Sequence, residues 1–358
     1  MPPASQASPV TASGSLLLDL ARLGAALAVV FGHFSQPEYS TVWHYHLDYA
    51  LNGVGVFFVL SGFVIRLITT ARATDARSYA LDRVSRIYSV LLPCLLFTLL
   101  ASAILRHLTP ALLPQILANL TFTAQCWGLD IFLHDNGVLW SLCYECFFYL
   151  FYGIAFFGRG WHRIAALLVT ALVVGPPILI MLPLWLLGCL IHDLYQKLRP
   201  RPLAGILRTA APVLLLAAAA FAARHALRTL AHAIKPLVRP LFDFTRSHDI
   251  HLLQRASPRF YLFGIPTAIA LLILLLAVEK IRIDRNHPAV RTIRFAANGT
   301  FALYLLHVPL ILLAAAFIPY SHANPLQALA LLSAIVVLGI AAQPPMDSLK
   351  DRMRGRTR

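Results

Sequence analysis

The chain has 358 residues, of which 59% are hydrophobic and only 13% are charged. A soluble domain carries about 25% charged residues, so the composition excludes an ordinary soluble protein and points to a chain that crosses a membrane many times. Lys and Arg outnumber Asp and Glu by 30 to 15. They punctuate apolar segments instead of forming a stripe among aromatics, so a nucleic-acid partner is not expected and their role is orientation.

Residues 1–15 read as a disordered cytoplasmic N-terminus without positive charge, so the apolar run behind them is expected to remain as a helix and not to be cleaved as a signal. Apolar stretches able to cross a hydrocarbon core of about 30 Å fall near 16–35, 49–69, 87–105, 137–157, 163–181, 183–195, 209–223, 260–279, 297–318 and 325–343. The expected fold class is therefore all-α, a polytopic transmembrane helix bundle of about ten spans. The membrane domain is expected over 16–343, followed by a basic cytoplasmic tail, 344–358.

With the N-terminus inside, the inner connections 70–86, 158–162, 196–208 and 280–296 and the tail, taken with their flanks, hold twenty of the thirty Lys and Arg. The outer connections 36–48, 176–182 and 319–324 hold none, and 106–136 holds only Arg106. This bias places both termini in the cytoplasm. One outer segment, 224–259, departs from it with seven basic residues, two acidic ones and four histidines. Long loops translocate largely regardless of charge, so the topology stands; the segment reads as a solvated, partly amphipathic connector or as a basic rim for an anionic acceptor.

Ionisable residues at membrane depth cost several kcal/mol and are functional candidates by default. In the first span, "DLARLGAALAVVFGHF", Arg22 and His33 lie eleven residues apart. Three helical turns bring them to one face about 16 Å apart. That face lines a polar channel, or else Asp19 and Arg22 snorkel to the inner interface while His33 sits in the outer headgroup zone. In the second span Gly53, Gly55, Ser61 and Gly62 allow close helix approach, and Arg66 ends the span on the inner side.

"RVSRIY" then places Arg83 and Arg86 on one helical face, suited to bidentate phosphate contacts or simply to orientation. In the fourth span Glu145 shares a face with Ser141 and has no arginine on its own helix to neutralise it, so it must face protein or water. In the ninth, His307 lies near mid-membrane with Tyr304 one turn earlier and Pro309 loosening the backbone beside it. The five cysteines sit in or beside apolar runs, which argues against a disulfide framework, and "CYEC" at 143–146 lacks a second ligand pair. No metal site is expected.

Together these stretches resemble the acyltransferase-3 family of integral-membrane acyltransferases. The resemblance rests on R-x10-H (Arg22, His33), "FFVLSGFVI" at 57–65, "RxxRIY" at 83–88, "WSLxxE" with Phe148 and Tyr149, "LWLLGCLI" at 184–191 and "LYLLHVPL" at 303–310, in family order over nearly the whole chain. Three positions depart from the family pattern: Cys146 where a second glutamate is usual, Ser89 where proline follows "RIY", and "QPP" at 343–345 in place of an acidic-proline close.

The resemblance implies transfer of an acyl group, commonly acetyl from cytoplasmic acetyl-CoA, to a hydroxyl of an outward-facing carbohydrate or glycolipid, in a bacterial inner membrane. It implies a catalytic set of Arg22, His33, Glu145 and His307 and an acyl-CoA-binding set of Arg83 and Arg86, with which Arg66 is grouped. His33 would act as general base or carry the acyl group itself. Buried His, Glu and Arg in ten spans also describe a proton-coupled transporter of a small polar or glycan-related solute, and a non-catalytic glycan-assembly scaffold is a third reading.

Overall fold

The computed structural model describes residues 10–43, 47–71, 75–200, 229, 236 and 259–355. Among these residues the secondary structure is helical, without strands. The helices are α1 (Ala12–Phe34), α2 (Leu47–Ala71), α3 (Ala76–Ile104), α4 (Leu112–Leu120), α5 (Trp140–Phe157), α6 (Gly160–Val174), α7 (Pro176–Leu198), α8 (Arg259–Val278), α9 (Pro288–Asn298), α10 (Thr300–Phe317), α11 (Pro325–Ala341) and α12 (Gln343–Met353).

Seven stretches among the described residues are long and apolar enough to cross a membrane, and two shorter apolar helices, Gly160–Val174 and Phe263–Val278, occupy further expected positions. The expected span 209–223 and nearly all of the basic segment 224–259 lie outside the described residues. The protein is a multi-pass membrane protein with an all-α fold; the expected number of about ten spans exceeds the seven stretches described.

Boundaries follow local chemistry. α1 starts four residues earlier than the apolar run suggests, because the Thr11 side chain caps it by accepting from the Gly14 N–H at 3.2 Å and Ser13 anchors it to the Val278 carbonyl at 2.7 Å. Residues 12–15 are thus helix. Asp75 caps α3 by accepting from the Ser78 N–H at 2.8 Å, so Arg77, Arg83 and Arg86 ride on the helix and not in a long inner loop. The expected outer connection 176–182 is helix instead: the chain breaks at Gly175, whose φ of +73° favours glycine, and Pro176 starts α7.

α2 packs against α1, α7 and α8, while α10 packs against α1, α3 and α11. The α2–α7 crossing is close because both contact positions are glycines. A Cβ at Gly62 would collide with the Trp185 carbonyl, and one at Gly188 with the Val59 carbonyl. Large apolar side chains such as Leu96, Leu100, Leu168 and Leu172 remain exposed, as expected of surfaces facing lipid, while hydroxyl and amide groups turn inward. Asn136 donates to Thr98 Oγ1 at 2.8 Å and to the Leu305 carbonyl at 3.0 Å, tying the connection before α5 to α3 and α10. The expected tail is likewise part of the bundle, since α12 lies against α3.

Candidate active site

A cavity of about 530 Å³ lies between α1, α2, α3, α5, α10 and α12. It has the size of a small-molecule site. Five cationic side chains line it, Arg22, Arg83, Arg86, Lys350 and Arg354, against two carboxylates, Asp82 and Glu145. Arg83 is ion-paired with Asp82, and Arg354 reaches the other oxygen of the same carboxylate at 2.6 Å. Arg86 stands 3.9 Å from Asp347 and 5.9 Å from the centre of the Phe301 ring. Arg22 stands 3.7 Å from Asp19, which accounts for the aspartate three residues before it. The cationic excess suits a ligand bearing several negative charges, with guanidinium forks available for phosphate oxygens.

Farther along the cavity, Glu145 accepts hydrogen bonds from Ser61 Oγ at 2.8 Å and from the Tyr149 hydroxyl, while Trp185 Nε1 donates to Ser61 at 3.1 Å. The carboxylate that sequence alone leaves without a neutralising partner is thus held by hydroxyls from α2 and its own helix. Ser141 and Tyr304, also in the cavity wall, share a 2.7 Å hydrogen bond.

Behind Tyr304 lies a pair of histidines. His307 Nδ1 is 2.8 Å from the Tyr304 carbonyl and 3.2 Å from the Leu303 carbonyl. Carbonyls only accept, so Nδ1 carries the hydrogen and Nε2 is the acceptor in the neutral ring. His33 Nδ1 sits between that Nε2, at 3.2 Å, and the Val29 carbonyl, at 2.9 Å. Facing two acceptors, it too carries the hydrogen, which leaves Nε2 as the basic nitrogen of His33. His307 is completely buried. The Tyr304 ring lies 5.9 Å from His307 and 5.8 Å from Phe57; Tyr304 and Phe57 line the cavity, whereas neither histidine does.

The fold therefore assembles Arg22, Arg83, Arg86 and Glu145 in one cavity and joins His33 to His307 behind it. Arg66 stands apart: Asp193 holds its guanidinium at 2.9 and 3.2 Å, His192 bonds the same carboxylate at 3.0 Å, and Arg66 does not line the cavity. Sequence reasoning missed Asp82, and it treated Lys350 and Arg354 as orientation charges. The available signal was their i, i+4 spacing behind the two prolines that start α12.

The profile of the acyltransferase domain of the acyltransferase-3 family matches residues 16–343. The chain belongs to this family. A curated relative, Nodulation protein 10 of Rhizobium leguminosarum bv. viciae, is 29% identical over 181 residues, covering 44% of this chain and 48% of the relative. The chain thus spans about half the length of that relative. No solved structure matches it. In this acyltransferase-3 chain the family-matched stretch contains the histidine pair and Arg22, Arg83 and Arg86, whereas Lys350 and Arg354 lie beyond residue 343 and join the cavity because α12 folds back on α3.

Proposed function

We propose that this protein is a membrane-bound acyltransferase that moves an acyl group, commonly acetyl, from cytoplasmic acyl-CoA to a hydroxyl of an extracytoplasmic carbohydrate or glycolipid. The membrane is the inner membrane of a bacterium. The observation that carries this reading is a cavity with five cationic side chains whose wall includes Tyr304, the ring that stands 5.9 Å from His307. Family membership supports the reaction class.

In this reading the phosphates of acyl-CoA dock on Arg83, Arg86, Lys350 and Arg354, and Arg22 helps neutralise their charge. The pantetheine arm follows the cavity, where Glu145 accepts a hydrogen bond from one of its amide N–H groups. The thioester passes Tyr304 to meet His33. His33 Nε2 takes the proton from the acceptor hydroxyl as that oxygen bonds to the thioester carbon. The tetrahedral species then expels the sulfur, and the proton on His33 passes to the departing thiolate. His307 keeps His33 in the productive tautomer.

The test uses membranes containing the protein, labelled acetyl-CoA and a glycan acceptor. Acceptor-dependent CoA release that disappears in His33→Ala supports the proposal. An unchanged rate in that variant removes His33 from the chemistry, and solute uptake without CoA release favours the carrier.

A further inference from the structure

We propose that His107, His134 and Asp135 form a zinc site on the outer side of the bundle, apart from the acyl-transfer cavity. The three side chains come from the connection between α3 and α5. Nδ1 of His107 lies 2.9 Å from Asp135 Oδ1, and Nδ1 of His134 lies 3.0 Å from the same oxygen. One possible ligand atom from each residue falls within 4.8 Å of the others. Ligands bound to zinc at about 2.0–2.2 Å stand roughly 3–3.5 Å apart, so small ring rotations suffice to convert this cluster into a binding site.

The second observation is a buried carboxylate oxygen. Asp135 is only 2% exposed, and its other oxygen, Oδ2, is buried without a hydrogen-bond partner. A buried carboxylate oxygen in that condition is costly, and a cation bound to the carboxylate would offset the cost. The histidines have the opposite character, with side chains 40% and 66% exposed. They can turn toward the ion and leave an open position for water.

Two imidazole nitrogens and one carboxylate oxygen suit zinc, whereas calcium and magnesium select all-oxygen sets. On binding, the metal replaces the two contacts to Oδ1: each Nδ1 gives up the hydrogen it donates to the carboxylate, and the neutral imidazole carries its hydrogen on Nε2 instead. The site lies one residue from Asn136, which bonds Thr98 and the Leu305 carbonyl. Bound zinc would therefore clamp the outer connection to α3 beside the helix that carries Tyr304 and His307. The sequence expectation of no metal rested on CYEC lacking a second ligand pair; the present ligands span 28 positions and match no zinc motif.

The experiment uses full-length protein in detergent, stripped with a chelator and titrated with zinc ion alone. Zinc bound per chain is measured by elemental analysis after equilibrium dialysis, together with the thermal unfolding midpoint. The wild type is expected to hold one zinc more than His107→Ala or His134→Ala and to gain thermal stability that both variants lack. Affinity should fall by on the order of a hundredfold or more, since loss of an outer-shell partner alone costs about 10–100-fold. His134 is exposed, so its variant should elute as the wild type does on size exclusion. The chain has 14 histidines, and equal zinc binding by wild type and both variants would assign the metal elsewhere and overturn the proposal. So would a wild type that binds no zinc at micromolar concentration.

Discussion

Nε2 of His307 and Nδ1 of His33 lie 3.2 Å apart, joining α10 to α1 across 274 positions of sequence. In the proposed reaction the contact gives the two rings different tasks. His33 presents the basic nitrogen, while His307, bonded to carbonyls of its own helix, sets the tautomer of its neighbour.

This division predicts unequal effects of substitution. His33→Ala should lower acceptor-dependent CoA release by about 10²–10⁴-fold, the usual contribution of a general base. His307→Ala should lower kcat by roughly 10–100-fold with little change in the KM for acyl-CoA, because it acts through His33. A KM effect as large as the kcat effect would place His307 in donor binding instead.

Arg83→Ala and Arg86→Ala should each raise the KM for acyl-CoA by about 10–100-fold, corresponding to loss of a charged hydrogen bond of about 1.5–3 kcal/mol. Lysine at either position should recover only part of the loss, since an ammonium cannot make the bidentate contact. Steady-state kinetics over a range of acyl-CoA concentrations reads this directly.

Lys350→Ala combined with Arg354→Ala should weaken the donor site without affecting the histidine pair. We expect a KM for acyl-CoA raised about tenfold, at the lower end of the same range, with kcat nearly preserved. Because Arg354 also pairs with Asp82 at 2.6 Å, thermal unfolding of the double variant separates lost binding from lost folding.

Glu145→Gln keeps the shape of the side chain and removes its charge. The new amide oxygen can still accept from Ser61, so the fold should survive. Acyl transfer should fall by about tenfold, roughly the 1–1.5 kcal/mol that separates a charged from a neutral acceptor. Wild-type activity in this variant would show that the charge has no part in the reaction.

Gly62→Ala should destabilise the α2–α7 crossing, because the added carbon meets the Trp185 carbonyl and not a flexible side chain. Overpacking of this kind costs about 1–3 kcal/mol. A lowered unfolding midpoint in detergent, with residual activity retained at low temperature, is the expected result.

Much of the candidate site was legible in the sequence. Polar residues that lipid disfavours stood out against apolar runs, so Arg22, His33, Glu145 and His307 were visible individually, as were Arg83 and Arg86 from their spacing. The motif order identified the family. Less visible was the partition between them. Arg66 shares the inner side with Arg83 and Arg86, yet Asp193 on α7 claims it. Lys350 and Arg354 looked like orientation charges until α12 folded back on α3.

The amino-acid sequence by itself determined the solvent and the class of fold, because hydrophobic length and the distribution of Lys and Arg are properties of the chain that lipid reads locally. It also determined which helix faces hold ionisable residues. Only the tertiary structure decided who meets whom: the 3.2 Å contact of His33 with His307, the edge-on contact of Phe57 with Tyr304 in the cavity wall, and the convergence of His107 and His134 on Asp135. Helical periodicity relates residues a few positions apart, whereas these pairings depend on how distant helices cross, and that is set by close-packing at sites such as Gly62 and Gly188.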